Sequence, residues 1–171
     1  MPKDHVDTIL EQWTKERPDI DNAPLAVIAR ISRLSRLFEK KTGETFASFG
    51  LSRSGFAVLA ALRRSGSPYR LSPTQLYSAL LVSSGAMTNR IDRLEEQDLV
   101  IRVPDPNDRR GMLVGLTPKG RKLIDEAYEM HVSAEKELLQ QLSSAQRDQL
   151  SDLLRVLAVN LEIEDAPEVK S

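Results

Sequence analysis

The sequence predicts a mainly α protein that carries one small β-hairpin. Three observations predict it. Aromatics make up only 5% of the 171 residues against 40% apolar residues overall, so the core must be built from Leu, Ile, Val and Ala, which suits packed helices. Apolar residues recur at helical spacing along most of the chain. The clear departure is Leu99 to Leu116, which reads as two apolar strands around a polar turn.

The elements follow in order. Residues 4–16 place Val6, Ile9, Leu10 and Trp13 at helical spacing, and Pro18 with the polar stretch after it breaks the helix. Residues 24–40 repeat the pattern through Val27, Ile28, Ile31, Leu34, Leu37 and Phe38, and Gly43 and Gly50 are expected to punctuate the chain afterwards. Ser52 is a suitable cap for a third helix through Val58, Leu59 and Leu62, closed by Ser65-Gly66-Ser67-Pro68. Ser72-Pro73 joins an N-cap to a proline at the first helical position, which starts a short helix through Leu76, Tyr77 and Leu80. Leu81-Val82 is a short turn, and Ser83 or Ser84 caps the next helix, which runs to about Gln97. Strands follow at 99–103 and 112–116, with a polar tip from Pro104 to Arg110. Thr117-Pro118 opens a long helix to Leu142, Ser143 opens a last one through Leu150, Leu153, Leu154, Leu157 and Leu161, and the tail from Asp165 is expected to fray.

Two short helices followed directly by a two-stranded hairpin form the layout of a winged helix-turn-helix. The division is then 1–50 for N-terminal helices (an extra helix and a dimerisation helix), 51–116 for the winged region, 117–163 for C-terminal dimerisation helices and 164–171 for the tail. The outer helices hold more apolar surface than one small domain can cover, and pairing two copies is the simplest way to bury it, so a homodimer is expected.

Composition excludes several functions. There is no cysteine, hence no disulfide, thiolate metal site or thiol-based sensing. His5 and His131 are too few and too far apart for a metal site, so no metal and no cofactor are expected. No apolar run approaches the roughly 20 residues of a membrane span, and the N-terminus does not read as a signal peptide, so a cytoplasmic location is expected. Neither a nucleophile–base pair nor a phosphate loop is present, and the adjacent acids Glu95 and Glu96 read as solvated surface, so the chain does not read as an enzyme.

Charge points to a polyanion. The formal net charge is −1, yet residues 51–122 hold 12 Lys/Arg against 6 Asp/Glu, a surplus of +6 that leaves −7 for the rest. The helix at 83–97 needs Ile91 and Leu94 inward, which turns Ser84, Thr88, Asn89 and Arg93 mostly outward. Short polar groups let a helix seat in the major groove, and Asn and Arg bond base edges. Ser72, Thr74 and Gln75 stand where backbone phosphates are commonly met, although the same residues are good helix starters. The tip carries Asp108, Arg109 and Arg110, and arginine on a protruding loop suits a narrow minor groove. Asp108 is a candidate to hold one arginine in its reaching conformation. The alternative is a winged-helix protein-interaction module without specific DNA binding.

The run Asp105-Pro-Asn-Asp-Arg-Arg-Gly-Met-Leu-Val-Gly-Leu-Thr-Pro-Lys-Gly120 resembles the wing signature of the MarR family of bacterial regulators. Thr88-Asn-Arg-Ile-Asp-Arg-Leu-Glu and Asp98-Leu-Val resemble the family's recognition helix and its passage into the wing. The resemblance implies a dimer built from the terminal helices, a pseudo-palindromic operator and ligand-relieved repression, with Arg110 at the wing tip and Asp108 as its orienting partner. Gln12-Trp13, Glu16-Arg17-Pro18-Asp19 and Gly85-Ala-Met-Thr-Asn-Arg-Ile-Asp-Arg-Leu look like the urate-responsive branch of HucR, PecS and MftR. That likeness implies ligand contacts at Trp13 and Arg90. Arg90 also stands out by position, because it precedes Leu94 by four residues and a buried arginine is costly unless it meets an anion. Where the branch usually has an acidic partner this chain has Ala57, so the expected effector is a small anionic compound, aromatic or purine-like, rather than urate in particular.

Overall fold

A computed structural model of the chain describes residues 2–80 and 83–164, excepting the side chains of Ser84 and of 162–164. The turn expected at Leu81-Val82 and the tail from Asp165 lie outside the described residues. The order is α1 (His5–Glu16), α2 (Ala23–Ser48), α3 (Arg53–Arg64), β1 (Arg70–Leu71), α4 (Pro73–Leu80), α5 (Ser84–Glu96), β2 (Val100–Asp105), β3 (Asp108–Leu116), α6 (Pro118–Leu138) and α7 (Ser144–Glu164). The chain divides into two compact units, 1–132 and 133–171.

In the first unit, one core forms where α3, α4, α5 and the sheet meet. Leu59, Leu62, Leu76, Met87, Ile91, Val100, Val114 and Ile124 are essentially fully buried. Each such aliphatic side chain contributes roughly 1.5–3 kcal/mol relative to exposure. Ser52 caps α3 as expected, its Oγ accepting from the Gly55 N–H at 3.0 Å. Asp4 and Asp7 form a capping box at α1, and the Arg30 guanidinium of α2 bonds both carboxylates, fastening α1 to α2.

Three expectations are corrected. Gly43 does not end α2, which continues to Ser48. A helical glycine costs about 1 kcal/mol. Burial of Phe46, stacked on Phe56 at 4.3 Å between centroids, outweighs it. The break comes at Gly50, whose φ of 66° lies in the left-handed region. The sheet has a third strand, β1, too short for alternation to register in the sequence. It pairs Arg70 with Gly115 and Leu71 with Val114, giving the order β1-β3-β2. The hairpin tip is also tighter than expected: β2 runs to Asp105 and β3 begins at Asp108, so Pro106 and Asn107 alone make the turn and both arginines lie within β3, directly after Asp108. Pro104 is tolerated because β2 is an edge strand, next to a register shift at Pro104/Asp105.

The start of α6 is locked to the end of α5. Asp98 closes α5 with a left-handed φ of 58°. Thr117 Oγ1 donates to the Asp98 carbonyl at 2.8 Å and the Lys119 ammonium donates to the Gln97 carbonyl at 2.7 Å. Gly120 is required here, because a Cβ would sit 1.9 Å from the Leu99 carbonyl oxygen. The second unit contains the end of α6 and all of α7, whose Leu150, Leu153, Leu154, Leu157 and Leu161 follow a three-four spacing and are exposed. No single helix among the described residues is long and apolar enough to cross a membrane.

Candidate nucleic-acid interface and effector cleft

α5 is amphipathic in the way its sequence suggests. Met87, Ile91 and Leu94 are buried, while Thr88, Asn89 and Arg93 are exposed. Ser83 occupies the N-cap in extended conformation, without a side-chain hydrogen bond. In α4, Ser72 and Gln75 form a reciprocal cap: the Gln75 amide oxygen accepts from the Ser72 N–H at 2.8 Å, and Ser72 Oγ accepts from the Gln75 N–H at 3.2 Å. Both side chains therefore have a structural task, whereas Thr74 is simply exposed.

At the wing, Asp108 acts on backbone. Its Oδ1 accepts the Arg110 N–H at 2.9 Å, as Asp105 Oδ1 accepts the Asn107 N–H at 2.9 Å. Gly111 makes the tip possible, since a Cβ there would meet Asp108 Oδ2 at 3.0 Å and the Asp105 Cβ at 3.2 Å. Arg93, Arg109 and Arg110 are exposed and form no ion pair among the described residues. Arginines with other tasks do form them: Arg30 with Asp4 and Asp7, Arg63 with Asp125.

The sequence reading missed Arg102. Its guanidinium reaches both Asp92 and Glu95 of α5, and its own N–H donates to Glu95 Oε1 at 3.1 Å. Burial lowers the arginine's pKa, but the two carboxylates more than offset this and the net shift is upward. Glu95 is thus not the solvated acid expected from its neighbour Glu96. The signal was out of reach, because ten and seven residues separate the partners and only the chain reversal after α5 joins them.

A cleft of about 520 Å³ opens between the start of α3 and α5. Ser52 and Ser54 line one side; Asn89, Arg90, Arg93 and Gln97 line the other, and among the described residues no carboxylate lines it. Arg90 is half-buried, on the flank of α5 that faces α3. Ala57 is not part of this lining. Trp13 is not part of it either: it sits on α1 with 48% of its surface exposed.

The comparisons with known proteins bear on this geometry. A profile described as MarR family matches residues 49–111. The chain is 39% identical over 149 residues to the HTH-type transcriptional regulator PecS of Dickeya dadantii (strain 3937), spanning 87% of this chain and 90% of PecS. The chain belongs to the MarR family. Family members are DNA-binding transcriptional regulators, not enzymes, and the mostly helical fold with a small antiparallel sheet is theirs. A mutant MarR from E. coli complexed with operator DNA superimposes with a TM-score of 0.70 at 26% identity, over 80% of this chain and 96% of that one. BpsR of Bordetella bronchiseptica, solved to explain regulation of its DNA binding by 6-hydroxynicotinic acid, superimposes with a TM-score of 0.67 at 28% identity, over 82% of this chain and 94% of that one.

Proposed function

We propose that this MarR-family regulator is a cytoplasmic repressor that binds a pseudo-palindromic operator as a homodimer and is released by a small anionic effector. The observation that carries the reading is the set of ion-pair-free arginines at the two places a winged helix offers to DNA: Arg93 on α5, Arg109 and Arg110 on the wing. Exposed guanidiniums without internal partners are available to phosphates and to the minor groove. In this reading Thr88 and Asn89, with Ser84, meet base edges; Ser72, Thr74 and Gln75 approach the backbone; and Asp108 shapes the turn that presents Arg110.

The effector site is proposed at Arg90. A half-buried guanidinium in a cleft lined by no carboxylate among the described residues favours an anion, and the Ser52–Ser54 hydroxyl pair opposite, bonded to each other at 3.0 Å, has one proton left to donate to it. The same cleft is lined by Asn89 and Arg93, so a bound anion would touch the DNA-reading helix itself. Trp13 is proposed as a second contact, because its exposed indole offers an aromatic ligand an uncovered face.

A gel-shift against the chain's own upstream intergenic DNA, repeated with a panel of aromatic and purine anions, tests the proposal. A discrete band released by one compound supports it, and quenching of Trp13, the single tryptophan, by that compound supports the second contact. A band that no compound releases refutes the effector reading. Equal retention of operator and random DNA refutes the operator reading.

A further inference from the structure

The two elements proposed to read DNA, α5 and the wing, diverge from the turn at Gln97–Leu99. That turn fixes where they meet but leaves the angle between them to side chains. Arg102 bridges them. It stands on β2 opposite Val114, and its guanidinium spans two different carboxylates of α5, Asp92 and Glu95. The backbone N–H of the same residue is held by Glu95 as well. One arginine therefore ties both its strand and its side chain to the helix. The planar fork of a guanidinium can address two acids at once, which a lysine ammonium on a flexible stem does less well.

The position of the two acids adds an electrostatic argument. Asp92 and Glu95 come four and seven residues after Thr88, so they continue the Thr88 stripe along the wing-side flank of α5. Arg90 lies on the other flank, toward α3. Two bare carboxylates beside the DNA-reading face would repel phosphate. The paired guanidinium cancels one of those two charges.

We propose that Arg102 is a positioning residue for DNA recognition, a clamp that sets the angle between the recognition helix and the wing while halving the negative charge of the two acids beside the reading face. It is distinct from the exposed arginines that would touch DNA, and the proposal rests on the reading of α5 and the wing as DNA elements. A clamp of this kind makes helix and wing contacts interdependent. Without it, Arg110 no longer enters the minor groove in register with Asn89 on the helix.

The test is a double-mutant cycle. The probes are a duplex that the wild-type chain selects from a random pool and a scrambled duplex of equal composition. Arg102→Met keeps the aliphatic stem and removes the fork. It is expected to weaken the selected duplex about tenfold or more, to change the scrambled one by less than about threefold, and to melt cooperatively. Arg102→Lys is expected to recover only a minor part. In the Arg102→Met background the penalty of Arg110→Ala is expected to fall to about a third or less of its wild-type fold-change. Should Arg102→Met fail to fold, the pair Asp92→Asn with Glu95→Gln, which preserves shape, is expected to show the same loss of coupling. Arg102→Met binding within about twofold of wild type, or an Arg110→Ala penalty equal in both backgrounds, would overturn the clamp alone. A wild-type chain that shows no preference for any selected duplex would overturn the DNA reading and the clamp with it.

Discussion

The winged region and the outer helices treat their apolar surface in opposite ways. Around α3, α4, α5 and the sheet, Leu62, Leu76, Met87 and Ile91 are buried, and what remains outside is mostly polar or charged, with Ile101 and Met112 of the hairpin as exposed apolar exceptions. On α2 and α7, Ile28 and Leu153 each keep 59% of their surface exposed, along with neighbours at helical spacing. The difference teaches that the winged region is complete as a packing unit, whereas the outer helices are not. In the function proposed above, the arginines that are exposed and without an ion pair among the described residues are the surface for DNA, and the exposed leucines of α7 are the surface for a second copy of the chain.

The sharpest way to break this contrast is to charge the apolar stripe. Leu153→Glu with Leu157→Glu removes two leucines from each copy of the proposed dimer. At roughly 1.5–3 kcal/mol per buried leucine, the dissociation constant is expected to rise at least about a thousandfold. Sedimentation should report a monomer, while circular dichroism retains the winged region. A dimer that persists in this variant would show that α7 does not form the interface.

The next largest effect tests the completeness of the winged region. Gly120→Ala places a Cβ against the Leu99 carbonyl, where only 1.9 Å is available, so the first turn of α6 must move off the end of α5. Loss of the Thr117 and Lys119 bonds follows, and the expected cost is about 3 kcal/mol or more, with a fall in Tm of roughly 6–12 °C. Differential scanning calorimetry checks it, and an unchanged Tm would mean that the lock between α6 and α5 yields without cost. A smaller effect is expected at the exposed arginines. Arg110→Ala leaves no ion-pair partner behind among the described residues, so its Tm should stay within about 1 °C. Its affinity for a selected duplex should fall about tenfold with a shallower salt slope.

How much of this was legible in the sequence depended on the range of the signal. The helices and the hairpin were, because periods of three to four and of two repeat within a few residues of themselves. Caps at Ser52 and Ser72 were, because a cap and its helix are adjacent. The continuation of α2 through Gly43 was not, since Phe46 rewards it by meeting Phe56 from the next helix. Nor was β1, whose two residues carry no alternation and are strand only because β3 lies beside them. In the candidate site, Arg90 was legible from its spacing to Leu94, and the structure adds the cleft beside it. Ser52 and Ser54, rather than Ala57, line the opposite side, a placement fixed by how α3 packs on α5. Arg102 with Asp92 and Glu95 needed the fold itself.

The smallest effect concerns how α1, which carries Trp13, is held. The guanidinium of Arg30 bonds the Asp4 side chain, and the Asp7 and Val6 backbone N–H groups bond it too, which brings its pKa from 3.8 to about 2. Because the folded pKa lies below the unfolded one, the stabilisation is fully present above about pH 4 and is lost as pH falls toward 2. Docking of α1 should therefore be insensitive to pH between 7 and 5 and loosen only in strong acid. The group is exposed, so salt should weaken the same contact at neutral pH. Trp13 reports it directly as the single tryptophan. Asp4→Asn is expected to raise the mobility of the indole, read as lower fluorescence anisotropy at pH 7, and to abolish the acid transition. A transition that persists in Asp4→Asn would show that the Asp4 carboxylate is not what holds α1.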